Sequence, residues 1–156
     1  ALYIDQAWRF ILSGGGLYNN LDYSFTAEFE QGNWPIPQGN PGWGGPAFRK
    51  KLGILLETIN QVPFQEMDFT GNILDASQGD FKQYGLAREG EVYVLFVENL
   101  RNEKLIPAVP ASKYEVNYIQ IDSGKKQNEN LELGQGQALS LPFESDRIAI
   151  IIRKSE

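Results

Sequence analysis

The sequence predicts a mainly β protein: a C-terminal antiparallel β-sandwich preceded by a helix-strand-loop-helix segment. Three observations carry this expectation. After Met67, short runs of β-branched and aromatic residues recur at intervals of roughly ten residues, separated by Gly, Asn, Asp, Ser and Pro, the punctuation of a sandwich or barrel. Two of these runs, 92–97 and 148–152, are apolar at every position, as strands covered on both faces must be. Helical spacing, by contrast, is confined to the first 66 residues.

The elements follow in order. Ile4, Ala7, Trp8, Ile11 and Leu12 form an i, i+3, i+4, i+7, i+8 stripe, so residues 1–13 read as an amphipathic helix that Ser13 and the glycines 14–16 end. Residues 17–25 alternate: Leu17, Asn19, Leu21, Tyr23 and Phe25 fall on one side of a strand, and Tyr18, Asn20, Asp22 and Ser24 on the other. A lone strand between two helices lacks neighbours for its backbone groups, so this segment reads as a piece of something larger. Residues 28–45 form a loop rich in proline and glycine that carries Phe29, Trp34 and Trp43; a loop of that length is usually functional or mobile. Pro46 suits a first helical position, and Phe48, Leu52, Leu55, Leu56 and Ile59 mark a second amphipathic helix to about residue 61, closed by Pro63. Strands are then expected at 82–88, 91–98, 104–108, 113–121, 131–133, 138–142 and 147–153. The change of character divides the chain into 1–66, a helical and loop segment, and 67–156, a β-sandwich.

Composition narrows the chemistry. The chain has 156 residues, 42% of them hydrophobic, enough for a real core. None of its apolar runs reaches the roughly 18 residues of a membrane span. The opening residues carry Asp5 and Arg9 where a secretory leader needs an unbroken apolar stretch, so the start reads as internal. A net charge of −6 argues against a nucleic-acid partner, and Arg49-Lys50-Lys51 reads as a solvated helix face. Cysteine and histidine are both missing, which removes Ser-His-Asp and Cys-His catalysis and the usual zinc ligands. No cofactor and no metal are expected. Carboxylates, tyrosines, amides and lysines remain for chemistry.

Two motifs have ordinary explanations. The run 42–47, Gly-Trp-Gly-Gly-Pro-Ala, fits the dinucleotide pattern G-x-G-x-x-A, but a proline-rich loop precedes it instead of a strand, and Pro46 removes an amide donor. Asp75, Ser77, Gly79 and Asp80 resemble a calcium loop whose twelfth position would be Leu86 instead of a glutamate, so a plain turn is expected. Glu28 and Glu30 read as solvated loop carboxylates, whereas Asp22 sits on the polar side of an otherwise apolar strand. Trp34 and Trp43 are suited either to stacking on sugar rings or to pinning the loop. Tyr114 and Tyr118 share a face with Val116, which suits a sandwich core or a ligand platform, the core being the preferred reading.

Residues 7–25, AWRFILSGGGLYNNLDYSF, resemble the final barrel segment of a group of glycoside hydrolases with a (β/α)8 catalytic domain; LYNNLDYSF is the most specific part of the match. In that group a glycine-rich loop, a helix and a C-terminal β-sandwich follow, the order seen here. The resemblance implies that the first helix is barrel helix seven, residues 17–20 barrel strand eight and residues 46–61 barrel helix eight. The end of that strand would face the active site, making Asn19, Asn20, Asp22 and Tyr23, with Trp34 and Trp43 in the loop, substrate-binding residues. The acid/base and nucleophile carboxylates of such barrels sit on strands four and seven, outside this chain, so no catalytic residue is assigned and the chain alone is expected to be inactive. The sandwich of residues 70–156 is similar to a domain labelled collagen-binding that follows apiosidase-like barrels, and such hydrolases are commonly exported. The partners implied are carbohydrate and either the missing barrel portion or a second copy of the chain, with no nucleic acid and no membrane. A self-standing carbohydrate-binding module using residues 29–45, and a protein-interaction domain using the apolar helix faces, are the alternative readings.

Overall fold

The computed structural model describes residues 2–19, 21–35, 44–101, 103–134 and 136–155. Two helices, α1 (Leu2–Ile11) and α2 (Pro46–Ile59), precede six strands: β1 (Asp68–Phe69), β2 (Lys82–Arg88), β3 (Val92–Glu98), β4 (Ser112–Ile119), β5 (Lys126–Leu133) and β6 (Arg147–Lys154). The strands form one sheet in the order β1-β2-β3-β6-β4-β5, and every pairing is antiparallel. The protein is therefore mainly β and sandwich-like.

The uniformly apolar runs take the positions their composition requires. β3 and β6 pair at the centre, with Leu95 opposite Ile150, and every residue of β3 is buried. On one face, Val92, Val94, Phe96, Ala149 and Ile151 meet Ile4, Ala7, Trp8 and Leu12 of the first helical stretch and Ile54 and Leu55 of α2. Trp8 is fully buried and stacks on Phe96 with ring centroids 5.8 Å apart. On the other face, Tyr93, Leu95, Val97, Ile148, Ile150 and Ile152 meet Ile73, Leu74, Phe81, Leu100, Leu105 and Leu139. Tyr114 and Tyr118 belong to that second core, and their hydroxyls donate to Pro110 O at 2.8 Å and to a Glu129 carboxylate oxygen at 2.5 Å.

Several sequence expectations are corrected. The segments 104–108 and 138–142 are reduced to the single bridges Leu105↔Leu139 and Leu74↔Pro107, which form a thin layer across the second face. Pro107 and Pro142 have no N–H to donate to a ladder, which limits how far these segments pair. β5 is longer than its apolar signal at 131–133, because a strand at the sheet edge exposes most of its side chains and carries polar ones. The strand expected over 17–25 is not formed. Among the described residues, no backbone hydrogen bond joins 16–19 or 21 to another segment.

Ion pairs fasten the helical layer to the ends of the strands. Arg9 of α1 donates to Glu98 of β3 at 2.6 and 3.0 Å, and Arg147 of β6 binds Asp5 at 2.5 and 2.7 Å and Asp122 at 2.8 Å. Lys51 of α2 reaches the other oxygen of Asp122 at 2.5 Å. The basic run at 49–51 is thus only partly the solvated face expected of it: Lys50 is exposed, whereas Lys51 is paired and Arg49 is engaged in the loop.

Because Trp8 joins α1 to the centre of the sheet, Trp8→Ala should lower unfolding free energy by about 3–5 kcal/mol. Urea denaturation followed by circular dichroism of the β signal tests this. A helix layer that folded separately would leave the midpoint of that signal unchanged.

Candidate functional site

Of the residues that sequence reading places at a site, Asp22 and Trp34 are tied together at the approach to α2. Residues 17–25 leave α1 after Gly14 and Gly15 and cross toward the N-terminus of α2. The alternation read in the sequence survives in the direction of the side chains, but with an inverted outcome. The polar side turns toward the protein: Tyr18 is half-buried and donates to Tyr3 O at 3.0 Å, Asp22 is half-buried, and Ser24 is fully buried. The apolar side turns to solvent, with Leu17 80%, Leu21 65%, Tyr23 51% and Phe25 51% exposed.

Asp22 is the hub of the inward side. One carboxylate oxygen accepts from the Ser24 amide at 3.0 Å, the Ser24 hydroxyl at 2.5 Å and the Gly45 amide at 3.0 Å, while the other accepts from Arg49 at 2.5 Å. Arg49 extends the network to Ser24 Oγ at 3.0 Å and to Gly32 O at 2.8 Å, and its guanidinium lies 4.9 Å from the centre of the Phe25 ring. Trp34 is half-buried, and its amide donates to Ser24 O at 3.1 Å. Burial alone would raise the Asp22 carboxyl, but the hydrogen bonds from Ser24, Arg49 and Gly45 outweigh it and hold its pKa at about 2.

This arrangement explains the glycine-rich run before α2. Gly45 is the N-cap residue, has φ 94°, and offers no side chain to satisfy the first turn; Pro46 follows at the first helical position. The missing cap comes from Asp22, whose negative charge also suits the positive end of the helix. Gly44 likewise has φ 94°, and a Cβ there would collide with the Asp22 carboxylate. Within the dinucleotide-like pattern, Gly44 and Gly45 therefore cradle an internal carboxylate. The calcium-like run is a capped turn as well: Asp75 accepts from the Ser77 amide at 3.0 Å and hydroxyl at 2.7 Å at the start of a short 3-10 helix, Ala76–Gln78. Among the described residues no group of acidic side chains is gathered as a metal site.

The six predicted site residues are only partly brought together. Asn19 and Tyr23 lie on the outward side, Asp22 is held inward, and Trp34 is tied to the same loop. Asn20 and Trp43 lie outside the described residues. Glu28 and Glu30 are exposed on the loop. Sequence reading missed Arg49, whose signal was its spacing three residues into a helix that starts beside the loop; the charge run around it masked that role.

An apolar groove of about 520 Å³ adjoins the outward side, lined by Ile11, Leu17, Tyr18, Leu52, Leu56, Ile59 and Phe64 among others. Leu56 was expected in the buried stripe of α2 but is 62% exposed. The helix instead buries Ile54, Leu55 and Thr58, because the sheet meets it on that side, and it leaves a second apolar side bare.

No family model matches the sequence, and no curated protein matches it. Solved structures do match the fold. One is a glycoside hydrolase with a TM-score of 0.55 and 13% identity, matched over 77% of this chain and 30% of its own. Another is a glycoside hydrolase family 5 protein from Bacteroides vulgatus ATCC 8482 with a TM-score of 0.55 and 10% identity, matched over 78% of this chain and 28% of its own. The chain therefore spans less than a third of the length of these hydrolases. A match over 77% of 156 residues is about 120 residues, more than the 90 that run from 67 to 156, so the shared fold takes in part of the helical segment.

Removing the hub should be felt as lost stability. Asp22→Ala leaves the Gly45 amide and the Arg49 guanidinium without their acceptor and should cost about 1–3 kcal/mol in denaturant unfolding. The folded pKa of about 2 lies below the ordinary 3.8, so the Asp22 contribution is complete above the ordinary value and is lost as pH falls through about 2. Acid titration should accordingly show a shallower loss of stability in Asp22→Asn than in the parent over that window.

Proposed function

We propose that this chain is a non-catalytic C-terminal part, a fragment or accessory module, of a glycoside hydrolase-like protein, and that it contributes loop residues on the substrate side together with a sandwich-like β domain. The observation that carries this reading is the asymmetry of the match: more than three quarters of this chain, but less than a third of each hydrolase, shares the fold. The resemblance of residues 7–25 to the last unit of an apiosidase-like barrel supports the finer version. In it α1, residues 17–20 and α2 stand as the final helix, strand and helix of a (β/α)8 barrel, and the β domain as the one that follows such barrels.

In this reading Asn19 and Tyr23, on the outward side, hydrogen-bond and pack against a sugar, with Asn20 and Trp43 added on sequence grounds. Trp34 supplies an aromatic surface from the loop. Asp22 acts as a positioning residue, since its bonds to Ser24, Gly45 and Arg49 hold the loop against α2. Cleavage needs two carboxyl groups about 5–9.5 Å apart on either side of the scissile bond. Asp22, locked to Arg49 and ionised down to about pH 2, is unsuited to serve as a general acid at neutral pH.

A second reading, a self-standing carbohydrate-binding module, is favoured by Tyr23 and Phe25, two half-exposed aromatics on one side of the segment.

The purified chain should turn over none of a panel of aryl glycosides and plant polysaccharides. Turnover that Asp22→Asn abolishes would overturn the non-catalytic assignment. A saturable change in tryptophan fluorescence on adding a soluble polysaccharide, without turnover, would favour the module.

A further inference from the structure

On the side of the sheet away from the helices, the loops that leave β3 and enter β6 enclose a cleft of about 520 Å³. It continues into a neighbouring hollow of about 420 Å³ through the shared residues Leu100, Arg101, Glu103 and Asp146. The floor is apolar: Leu100 and Leu139 belong to the buried core, and Leu141 and Phe143 pack against that core while only half-buried. The walls are charged. Arg101 and Glu103 come from the loop after β3, Glu144 and Asp146 from the loop before β6, and Asp80 from the turn before β2.

Internal contacts fix the walls. The Leu100 amide donates to Asp146 O at 2.9 Å and joins the two loops. Glu103 accepts from the Arg101 amide at 2.5 Å, and its stem lies so close across Gly79 that a Cβ there would come within 2.1 Å of the Glu103 Cγ. Asn99 turns the chain out of β3 with φ 61°, a left-handed conformation that asparagine tolerates better than most residues. Charges of both signs nevertheless share the cleft without pairing. Among the described residues, the Arg101 guanidinium and the carboxylates of Asp80, Glu144 and Asp146 form no hydrogen bond and no ion pair. Every other described arginine has a partner: Arg9, Arg49, Arg88 and Arg147 each hold a carboxylate, and Arg153 donates to Gln61 O.

The lining selects a ligand by its chemistry. An anion would meet the carboxylates of Asp80, Glu103, Glu144 and Asp146, which outnumber Arg101. A compact cation would leave Arg101 without an acceptor and the floor bare, and no group of acidic side chains is gathered here as a metal site. A wholly apolar ligand would desolvate the charged walls without replacing their hydrogen bonds. A neutral sugar ring meets all three demands: its hydroxyls donate to carboxylates and accept from the guanidinium, and its C–H face packs on Phe143 and Leu141. The volume also lies within the roughly 300–1,000 Å³ of small-molecule sites. We propose that this cleft binds a neutral sugar unit, with Arg101, Glu103 and Asp146 as the hydrogen-bonding residues and Phe143 as the apolar platform. The site goes beyond the hydrolase-like reading, because it lies across the sheet from Tyr18 and α2 and stands on the lining of the cleft alone.

Amide correlation NMR spectra of the isotopically labelled full chain, titrated with xylose, galactose, cellobiose and xylobiose, test this. Acetate and methylammonium serve as charged probes, and far-UV circular dichroism confirms that each variant is folded. At least one of the saccharides should shift the amides of residues 99–101, 103 and 143–146 saturably, with a Kd on the order of 1 mM. Arg101 and Asp146 are exposed and their side chains are unpaired, so Arg101→Gln and Asp146→Asn should leave the fold intact and each weaken that binding about five- to tenfold. No shift with any of the four saccharides, binding indifferent to both variants, or a stronger response to acetate or methylammonium than to every saccharide would each overturn the proposal. Shifts confined to residues 17–34 would overturn it too, while favouring sugar contact at the loop before α2. The hydrolysis screen is read separately, so failure of this cleft leaves the hydrolase-like assignment untouched, and the converse also holds.

Discussion

Burial of β3 and β6 on both faces is the constraint from which the other layers follow. Val94, Leu95, Phe96, Ile150 and Ile151 project alternately up and down from adjacent central strands, so neither face of the sheet can be left to water. The edge strands do not have this requirement: β5 is polar along most of its length and β1 is only two residues long. Each face therefore needs its own cover over the middle of the sheet. The thin bridged layer around Leu74, Leu105 and Leu139 serves one face, and α1 with α2 serves the other. The helical segment is part of the core of the β domain.

Apolar cover lacks direction, and the polar contacts supply it. Arg9 with Glu98 and Arg147 with Asp5 fix the axial position of α1 at the end of β3 and β6, and Asp122 draws α2 to the same region through Lys51. Glu98 and Asp5 are nearly buried, so removing either arginine would strand a desolvated carboxylate. The orientation of the helices is set more sharply by these pairs than by the interchangeable methyl groups beneath them.

The loop before α2 shows the same logic at smaller scale. A helix that begins Gly-Pro has no cap of its own, and the chain meets the need from 23 positions upstream with Asp22. The cost of that solution is geometric: Gly44 and Gly45 must adopt positive φ, and the segment around Asp22 must turn its polar side inward. Leu17, Leu21, Tyr23 and Phe25 are then left half or more exposed on the opposite side. The apolar surface and the Asp22 hub are two sides of one local arrangement.

The sequence alone determined the features that depend on local periodicity. The β class, the central positions of 92–97 and 148–152, both helices and the core role of Tyr114 and Tyr118 were all legible, because a side chain that must be buried on a regular element repeats at the period of that element. The alternation of 17–25 was legible too, and even its orphan status, but not the direction in which its apolar side would point. That direction, the exposure of Leu56, the reduction of 104–108 and 138–142 to bridges, and the junction of Asp22 with Arg49 were decided only by tertiary structure. Each depends on which surface another segment had already occupied, and a contact across 27 positions leaves no period in the chain to read.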